Sequence, residues 1–373
     1  MKRTLTYIKI SILLSVLLSL IIIQSVWSQN DTWLPRPIQL GTSGSNINDI
    51  SRLYCCGGTL GSLVQANSIQ YILSNNHVLA RTNLGKIGED IVQPGLIDQD
   101  PVCYKDYTDG VAYLTYFVPI SFRKGTTNRV DAAIAEVREG AVDTKGSILN
   151  IGQVSTSIIS TPILNLPVKK SGRTTGLTTG RITAIDVTVD VVYDKICGKG
   201  SQKARFINQI MIGPAGFSAS GDSGSLIVED CSSYPRAVGL LFAGSSSVTV
   251  ANPISDVLSS LGVKIVGTNE YCTSELSVGT TEGSAMTAQS QLPPQANQKA
   301  IEAATKIKKR NEEAILQIEG VVGMGIGLSE KTHGQVVIEV YVKKPKHQME
   351  HLFPKVLEGI PVQVVETGDI IAY

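Results

Sequence analysis

The sequence predicts a mostly β protein that is followed by a small α+β unit. Short segments rich in β-branched residues recur between about residues 57 and 242, separated by Gly, Pro, Asn and Asp. Glycine is abundant, with 35 residues, whereas aromatic residues make up only 5% of the chain. No convincing long amphipathic helix interrupts these segments, so an all-β sandwich or barrel is predicted for this part. With 373 residues, the chain is long enough for two or three domains.

The first 28 residues have the three parts of a secretory signal peptide. Lys2, Arg3 and Lys9 form a basic start, residues 10–23 form an uncharged run, and small residues such as Ser28 follow. We predict a signal peptide over residues 1–28 that is removed on export. An uncleaved membrane anchor is the alternative, because the run approaches spanning length. Either way, the rest of the chain is expected outside the cytoplasm, in an extracellular or periplasmic location.

The predicted β-rich domain covers residues 33–268. It opens with an exposed segment rich in Pro, Gly, Ser and Asn, and one short helix near Ile254–Leu261 follows the strands. The strand candidates are Gly57–Val64, Ile69–Ser74, Gly110–Val118, Ala132–Val137, Gly180–Tyr193, Ile207–Ile212, Ser225–Val228 and Val238–Phe242.

A flexible linker is predicted at residues 269–298, because Ser, Thr, Gly, Gln and Ala dominate it. Residues 299–373 then predict a small α+β domain with helices on one face of a sheet. Its predicted elements are a helix at Ala300–Ile318, strands at Val321–Leu328 and Val336–Val342, a helix at His347–Leu357 and a strand at Pro361–Val365. The glycine run at 323–327 lacks the following helix of a phosphate loop, so close strand packing explains it better.

Charge and cysteine content exclude several functional classes. The net charge is +1 without a long basic stretch, which argues against a nucleic-acid partner. Six cysteines in an exported chain predict disulfides, although 15 pairings are open and the adjacent Cys55 and Cys56 are not expected to pair with each other. No CxxC pair exists and the histidines lie far from the cysteines, so we predict neither a metal site nor an organic cofactor.

The sequence around Ser223 has the composition of an acyl-transfer nucleophile loop. Ser223 lies between Gly221-Asp222 and Gly224, and apolar strand-like residues follow at 226–228. Glycines leave the neighbouring backbone N–H groups unhindered, as an oxyanion hole requires. Such Gly/Asp/Ser clusters also occur in ordinary turns, so the loop needs a histidine and a carboxylate elsewhere.

His77 is the candidate general base, because it is the one histidine in the β-rich region. The other three, His333, His347 and His351, belong to the C-terminal region. His77 follows a predicted strand, which would place its imidazole at the rim of the sheet. His347 and His351 lie four residues apart on a predicted helix, but no third ligand is nearby, so they are expected to be surface histidines.

Asp131 is the candidate carboxylate, because it begins a strand of small apolar residues. Buried there, it would fix the tautomer of the histidine and stabilise its imidazolium form. Asp109 and Asp143 are rivals, but both lie in turn-like segments and are expected to be solvated. Asp222 adjoins the nucleophile, a position suited to bracing the loop.

Together these motifs resemble the trypsin/chymotrypsin-like serine proteases, whose catalytic residues follow the order His, Asp, Ser. Three matching motifs are Ser74–Val78, Val130–Ala135 and Gly221–Gly224. A fourth, Lys170–Thr183, is similar to the segment that opens the second barrel in bacterial secreted members of the streptogrisin and lytic-endopeptidase type. The resemblance covers roughly residues 50–265.

The resemblance implies a double six-stranded Greek-key β-barrel and a serine endopeptidase acting on proteins or peptides. Ser223 would attack the peptide carbonyl, His77 would transfer the proton and Asp131 would orient His77. The backbone N–H groups of Gly221 and Ser223 would form the oxyanion hole.

The resemblance also implies a substrate pocket. Phe217 stands where the family often sets its primary specificity, and the strand that contains Leu241, Phe242, Ala243 and Gly244 would flank the pocket and pair with the substrate backbone. An aromatic rather than acidic residue at 217 argues against a trypsin-like preference for Lys or Arg. An apolar or small pocket is expected.

Two departures from the family pattern matter. No Ile-Val-Gly-Gly type of start precedes the domain, so another group is expected to hold Asp222. Ser225 replaces a glycine that many members have, which also argues against an α/β-hydrolase elbow.

Several functional alternatives stay open from the sequence. One is a catalytically inactive binding protein on a protease fold, and another is a serine esterase. The C-terminal domain is expected to be either an inhibitor or chaperone of the first domain, or an adaptor on a tether. Membrane contact is expected only through an uncleaved signal segment, and the sequence predicts no oligomeric state.

Overall fold

The computed structural model describes residues 29–272 and 298–373. The predicted signal peptide and residues 273–297 of the predicted linker lie outside these described residues. Within the described ranges no helix has both the length and the apolar character that crossing a membrane requires.

In the described ranges the chain forms strands and four α-helices. The strands are β1 (Thr42–Asn46), β2 (Gly58–Leu60), β3 (Ser62–Ala66), β4 (Ile69–Ser74), β5 (Asp90–Val92), β6 (Gly110–Phe117), β7 (Ala133–Val137), β8 (Pro167–Gly172), β9 (Gly176–Ile196), β10 (Lys199–Gly213), β11 (Leu226–Glu229), β12 (Ala237–Gly244), β13 (Thr249–Pro253), β14 (Lys264–Ile265), β15 (Val321–Leu328), β16 (Val336–Val342), β17 (Val356–Leu357), β18 (Ile360–Glu366) and β19 (Ile370–Ala372). The helices are α1 (Asn76–Leu79), α2 (Ile254–Leu261), α3 (Gln298–Leu316) and α4 (Lys346–Met349).

The first sheet is antiparallel throughout, in the order β14-β3-β4-β7-β6-β5-β1-β2. It curls around a core of buried aliphatic side chains, among them Leu63, Ile72 and Leu114, and α2 contributes Ile254 and Val257 to the same core. The β-branched and leucine residues that predicted strands therefore supply the interior of this barrel.

The second sheet contains a closed ring of six antiparallel strands. Its order is β10-β13-β12-β11-β8-β9, and β9 pairs with β10 to close it. The mostly β class with two curled sheets agrees with the prediction. Two six-stranded barrels were predicted. The ring in the second sheet has six strands, whereas the first sheet of the described residues contains eight.

The β9–β10 hairpin is longer than the sequence predicted. The predicted strands ended at Tyr193 and began at Ile207, whereas the pairing extends to Ile196 and Lys199. Most residues near the tip are polar, so hydrophobic patterning does not mark the end of the hairpin.

The C-terminal strands continue the second sheet beyond this ring. β15 pairs antiparallel with β9, β16 follows it, and β18 pairs parallel with β16. Helix α3 covers this extension, with Ala304 and Ile307 in a core shared with Met324, Ile338 and Val340. The C-terminal region therefore adds strands to the β-rich domain.

Two predictions for the C-terminal region need correction. The helix expected at His347–Leu357 is wrong, because α4 is followed by a 3-10 turn at Glu350–Leu352 and then by β17. Pro354 explains the break: proline disfavours helical backbone in the residue before it, and Phe353 is extended with φ −116° and ψ 144°. The prediction also missed β19, whose three residues are too few for a recognisable pattern.

Three disulfides join the cysteines: Cys55–Cys103, Cys56–Cys197 and Cys231–Cys272. The adjacent Cys55 and Cys56 therefore have different partners, as predicted. Cys56–Cys197 ties the first sheet to the tip of the β9–β10 hairpin, and Cys231–Cys272 holds the start of the predicted linker against the second sheet.

Candidate active site

His77 and Asp131 meet because of the register between β4 and β7. Ser74 pairs with Ala133 in this antiparallel pair, so the residues that follow β4 lie beside the residues that precede β7. The chain turns after Ser74 into the single turn of α1, which carries His77. His77 Nδ1 lies 2.6 Å from Asp131 Oδ2, and the His77 backbone N–H donates to Asp131 Oδ1 at 3.2 Å.

Asp131 is fully buried and has further polar partners. The Tyr193 hydroxyl donates to Asp131 Oδ2 at 2.8 Å, and the Asp131 backbone N–H donates to Asn252 Oδ1 at 3.0 Å. Burial, with the nearby charge of Asp131, raises the pKa of Tyr193 well above its ordinary value, so this hydroxyl stays protonated and donates. The carboxylate is thus held in one orientation.

His77 has an acceptor on each ring nitrogen. Nδ1 faces Asp131, and Nε2 lies 3.0 Å from the main-chain oxygen of Tyr373. Both nitrogens can donate only in the imidazolium form. Burial lowers the pKa of His77, but the charge and hydrogen bond of Asp131 and the Tyr373 carbonyl outweigh it, so the net pKa is raised.

Ser223 lies on a tight loop between two glycines in left-handed conformations. Gly221 has φ +97° and Gly224 has φ +94°, values that a side chain at either position would oppose. Ser223 is fully buried, and its hydroxyl donates to the Phe242 carbonyl at 3.0 Å rather than to His77. Across the described residues, the N–H groups of Gly221 and Ser223 have no hydrogen-bond acceptor.

Asp222 braces this loop from a fully buried position. Its carboxylate accepts from the backbone N–H groups of Thr174, Thr175 and Ala219, and from the Thr175 hydroxyl. Lys170 Nζ lies 3.6 Å away. Burial lowers the pKa of Lys170 to about 8, against the opposing effect of Asp222. The sequence predicted that some group would hold Asp222 but did not identify it. In the structure, Lys170 and the Thr174-Thr175 turn hold it.

The predicted pocket residues lie near Tyr373 and the strand β19 that precedes it. Phe217 and Leu241 belong to one buried cluster, and the Tyr373 ring packs against it. The Tyr373 hydroxyl donates to the Ser245 carbonyl at 2.7 Å. The Tyr373 backbone N–H donates to the Phe242 carbonyl at 3.4 Å, and β19 pairs with Ala243 and Gly244 of β12.

A cavity of about 440 Å³ adjoins this site, and His77, Gly221, Tyr373 and the Cys56–Cys197 disulfide are part of its lining. Asp49 also lines it. Asp49 approaches the sulfurs of Cys56 and Cys197, and Glu229 approaches those of Cys231 and Cys272. Disulfide-bonded sulfurs are not thiolates, so neither group offers a metal the ligands of a cysteine site.

The rival carboxylates are engaged elsewhere. Asp109 accepts from the Trp33 indole at 3.0 Å and from the Gln99 amide at 3.1 Å, while Asp143 accepts from the backbone of Lys145 and Ser147. Three residues of the site escaped sequence reasoning: Lys170, Tyr193 and Tyr373. The Lys170–Thr183 motif marked the first as part of a segment, but no local signal distinguished the other two.

No family model and no curated protein matches the sequence. Solved structures of bacterial chymotrypsin-like serine proteases are similar to about 61% of the chain. One, described as a glutamic-acid-specific serine protease, is 19% identical, covers 61% of this chain and 100% of its own, and has a TM-score of 0.41. Protease A of Thermobifida fusca is 17% identical, covers 62% and 98%, and also has a TM-score of 0.41. The Nocardiopsis protease is 16% identical, covers 61% and 98%, and has the same TM-score of 0.41. These similarities concern the fold alone.

Proposed function

We propose that this chain is an exported serine endopeptidase that uses Ser223, His77 and Asp131. The observation that carries the proposal is the His77–Asp131 pair: a buried carboxylate holds Nδ1, which leaves Nε2 directed at the cleft beside a glycine-flanked serine. The three disulfides are consistent with folding in an oxidising compartment. In this proposal, residues 33–268 supply the catalytic machinery and residues 299–373 form a unit that acts on it.

The proposed reaction has two stages. The Ser223 hydroxyl leaves the Phe242 carbonyl, turns toward neutral His77 and attacks the substrate carbonyl carbon while His77 takes its proton. The N–H groups of Gly221 and Ser223 stabilise the oxyanion. His77 then protonates the departing amine, which leaves an acyl-Ser223 ester. Water attacks that ester through His77, and the products are a carboxylate and the restored serine.

A comparison of two neighbouring serines tests this proposal. Ser223→Ala is expected to lower kcat for peptide hydrolysis by about 10⁶, because it removes the nucleophile. Ser225→Ala is the matched control, since Ser225 Oγ only bonds to the Asp222 carbonyl within the loop. Hydrolysis of a diverse peptide library, with mass spectrometry of the products, is the measurement.

The result also separates the alternatives. Equal hydrolysis by the Ser223→Ala variant and the parent would overturn the proposal. Tyr373 lies against His77, so a Tyr373→Asp variant is included to weaken this contact. Failure of both the parent and this variant to react with a fluorophosphonate would favour the inactive binding protein. Turnover of activated esters without cleavage of any peptide would favour the esterase.

A further inference from the structure

Residues 370–373 lie beside the three candidate catalytic residues, in the cleft formed by β12, β9 and His77. Ile371 pairs with Gly244 and Ala372 pairs with Ala243, antiparallel to β12. On its other edge the segment pairs parallel with Val191 and Val192 of β9. A short strand held on both edges has a defined register, so the position of Tyr373 is set by the sheet.

This register brings the main-chain oxygen of Tyr373 to His77. That oxygen lies 3.0 Å from Nε2, the nitrogen that the proposed mechanism needs for Ser223. The Tyr373 N–H points to the Phe242 carbonyl, which also accepts the Ser223 hydroxyl. Tyr373 therefore occupies Nε2 of His77, while the Ser223 hydroxyl is bonded to the Phe242 carbonyl.

The pocket around the Tyr373 ring matches a phenol. The ring packs against the apolar cluster that contains Phe217 and Leu241, and the Ser245 carbonyl accepts the hydroxyl at the far end. Gly244 leaves the necessary room, because a Cβ there would lie 2.5 Å from the Tyr373 hydroxyl. Burial raises the pKa of Tyr373 to about 12, so the phenol is neutral and can donate. A ring without a hydroxyl would leave the Ser245 carbonyl without this donor. A carboxylate in the same apolar surroundings would cost far more.

The segment leaves part of the site open. Ile370 to Tyr373 runs along β12 with the Tyr373 carbonyl at His77, and the cavity of about 440 Å³ extends beyond Tyr373 to Gly221 and the Cys56–Cys197 disulfide. A bound peptide would place its acyl side where residues 370–373 lie and its leaving group in this cavity. The chain's own segment therefore has the position of the acyl half of a substrate.

We propose that the cleft recognises peptides with tyrosine at the residue whose carbonyl is attacked, and that residues 370–373 fill it as an internal competitor. The proposal rests on the proposed function and names its substrate class and its regulation. A segment tethered beside its site has an effective concentration of about 1 mM or more. If a free tetrapeptide binds with a Kd of about 10–100 μM, the tether reduces access to Ser223 by roughly 10- to 100-fold.

Full-length variants at Tyr373 test the competition. Tyr373→Asp puts a carboxylate against Phe217 and Leu241 and is expected to speed fluorophosphonate labelling of Ser223 at least tenfold. Tyr373→Phe keeps the ring and should label at less than threefold the parent rate. Tyr107→Asp makes the same charge change at an exposed tyrosine and should match the parent.

Two further measurements on Tyr373→Asp test the substrate class. Acetyl-Ile-Ile-Ala-Tyr should slow its labelling with a Kd below about 100 μM, whereas acetyl-Ile-Ile-Ala-Glu should not. Among acetyl-Ile-Ile-Ala-Xaa coumarin amides, Tyr should exceed Lys, Glu and Ala by at least tenfold in kcat/KM.

The outcomes separate this proposal from the proposed function. Equal labelling of the parent and Tyr373→Asp, both reacting at Ser223, would overturn the competition and leave the peptidase standing. A tenfold preference for Lys or Glu would overturn the tyrosine assignment. If no variant reacts with the fluorophosphonate, the proposed peptidase function fails. The inference is then tested by calorimetric measurement of acetyl-Ile-Ile-Ala-Tyr binding to the Tyr373→Asp variant, and no binding would overturn it.

Discussion

At the scale of single residues, Asp49 is a buried acid at the edge of the cleft. Its side chain lines the cavity beside the Cys56–Cys197 disulfide, and the residue is only 8% exposed. Burial raises the pKa of Asp49 from 3.8 to about 7, although Arg81 and His77 oppose the shift and Asp194 and Glu89 support it. Asp49 therefore carries a cost when it is ionised in the folded protein.

The sign of this effect gives a pH prediction for Asp49→Asn. Between pH 3.8 and about 7 the folded state binds more protons at Asp49 than the unfolded state does, so the contribution of Asp49 to the free energy of unfolding falls as pH rises. The fall across this pH range is at most about 4 kcal/mol. Urea unfolding at pH 4 and pH 8 should show Asp49→Asn gaining stability relative to the parent at pH 8. A difference between the two proteins that does not vary with pH would contradict this.

The catalytic candidates could be predicted at this scale because their local patterns are unusual. His77 is the one histidine of the β-rich region, Asp131 precedes a run of small apolar residues, and Ser223 is flanked by glycines. Tyr193 lies in an ordinary strand pattern, and only the pairing of β9 brings its hydroxyl to Asp131.

At the scale of elements, the glycines of β15 explain how the C-terminal strands join the second sheet. A Cβ on Gly323 would lie 2.5 Å from the Thr188 carbonyl of β9, and one on Gly325 would meet the Val187 and Tyr341 side chains. None of these strand glycines has a positive φ, so the need is for space. The close strand packing expected from the glycine run agrees with these distances.

Gly323→Ala is expected to lower the free energy of unfolding by about 1–3 kcal/mol, because β15 must move from the β9 backbone. The same variant should speed amide exchange in β9 near Val189, its partner. Gly334→Ala is the control: Gly334 has φ +74° and open space, so its cost is strain in the turn alone. Unchanged exchange near Val189 in Gly323→Ala would contradict the packing explanation.

At the scale of the whole molecule, β9 connects the described parts of the chain. Its 21 residues pair with β8 and β10 in the ring, with β15 of the C-terminal unit and with β19 in the cleft. Lys308 of α3, almost fully buried, forms an ion pair with Asp186 on the same strand at 3.3 Å. The sequence predicts two domains joined by a linker, and in the structure the strands of both belong to one sheet.

One continuous sheet predicts one cooperative unfolding unit. Native-state hydrogen exchange should give amides in β15 and β9 the same free energy of opening as those in β12, because separating β15 exposes the edge of β9. Mass spectrometry of peptides from residues 176–196 and 321–328 is the measurement. Opening of β15 at a free energy at least 2 kcal/mol lower would instead indicate an independent C-terminal domain.

The sequence by itself determined the mostly β class, many of the longer strands and which side chains are chemically distinctive. Alternating β-branched residues, turn glycines and the contexts of His77, Asp131 and Ser223 are local features, so they can be read without a partner. The tertiary structure alone decided the disulfide pairing, the support of Asp222 by Lys170 and the position of Tyr373 at His77. Each depends on contacts between segments far apart in the chain, and Tyr373 lies 296 residues after the histidine that it contacts. Contacts of this kind arise only when distant segments pack together, and short-range patterns do not reveal which segments will meet.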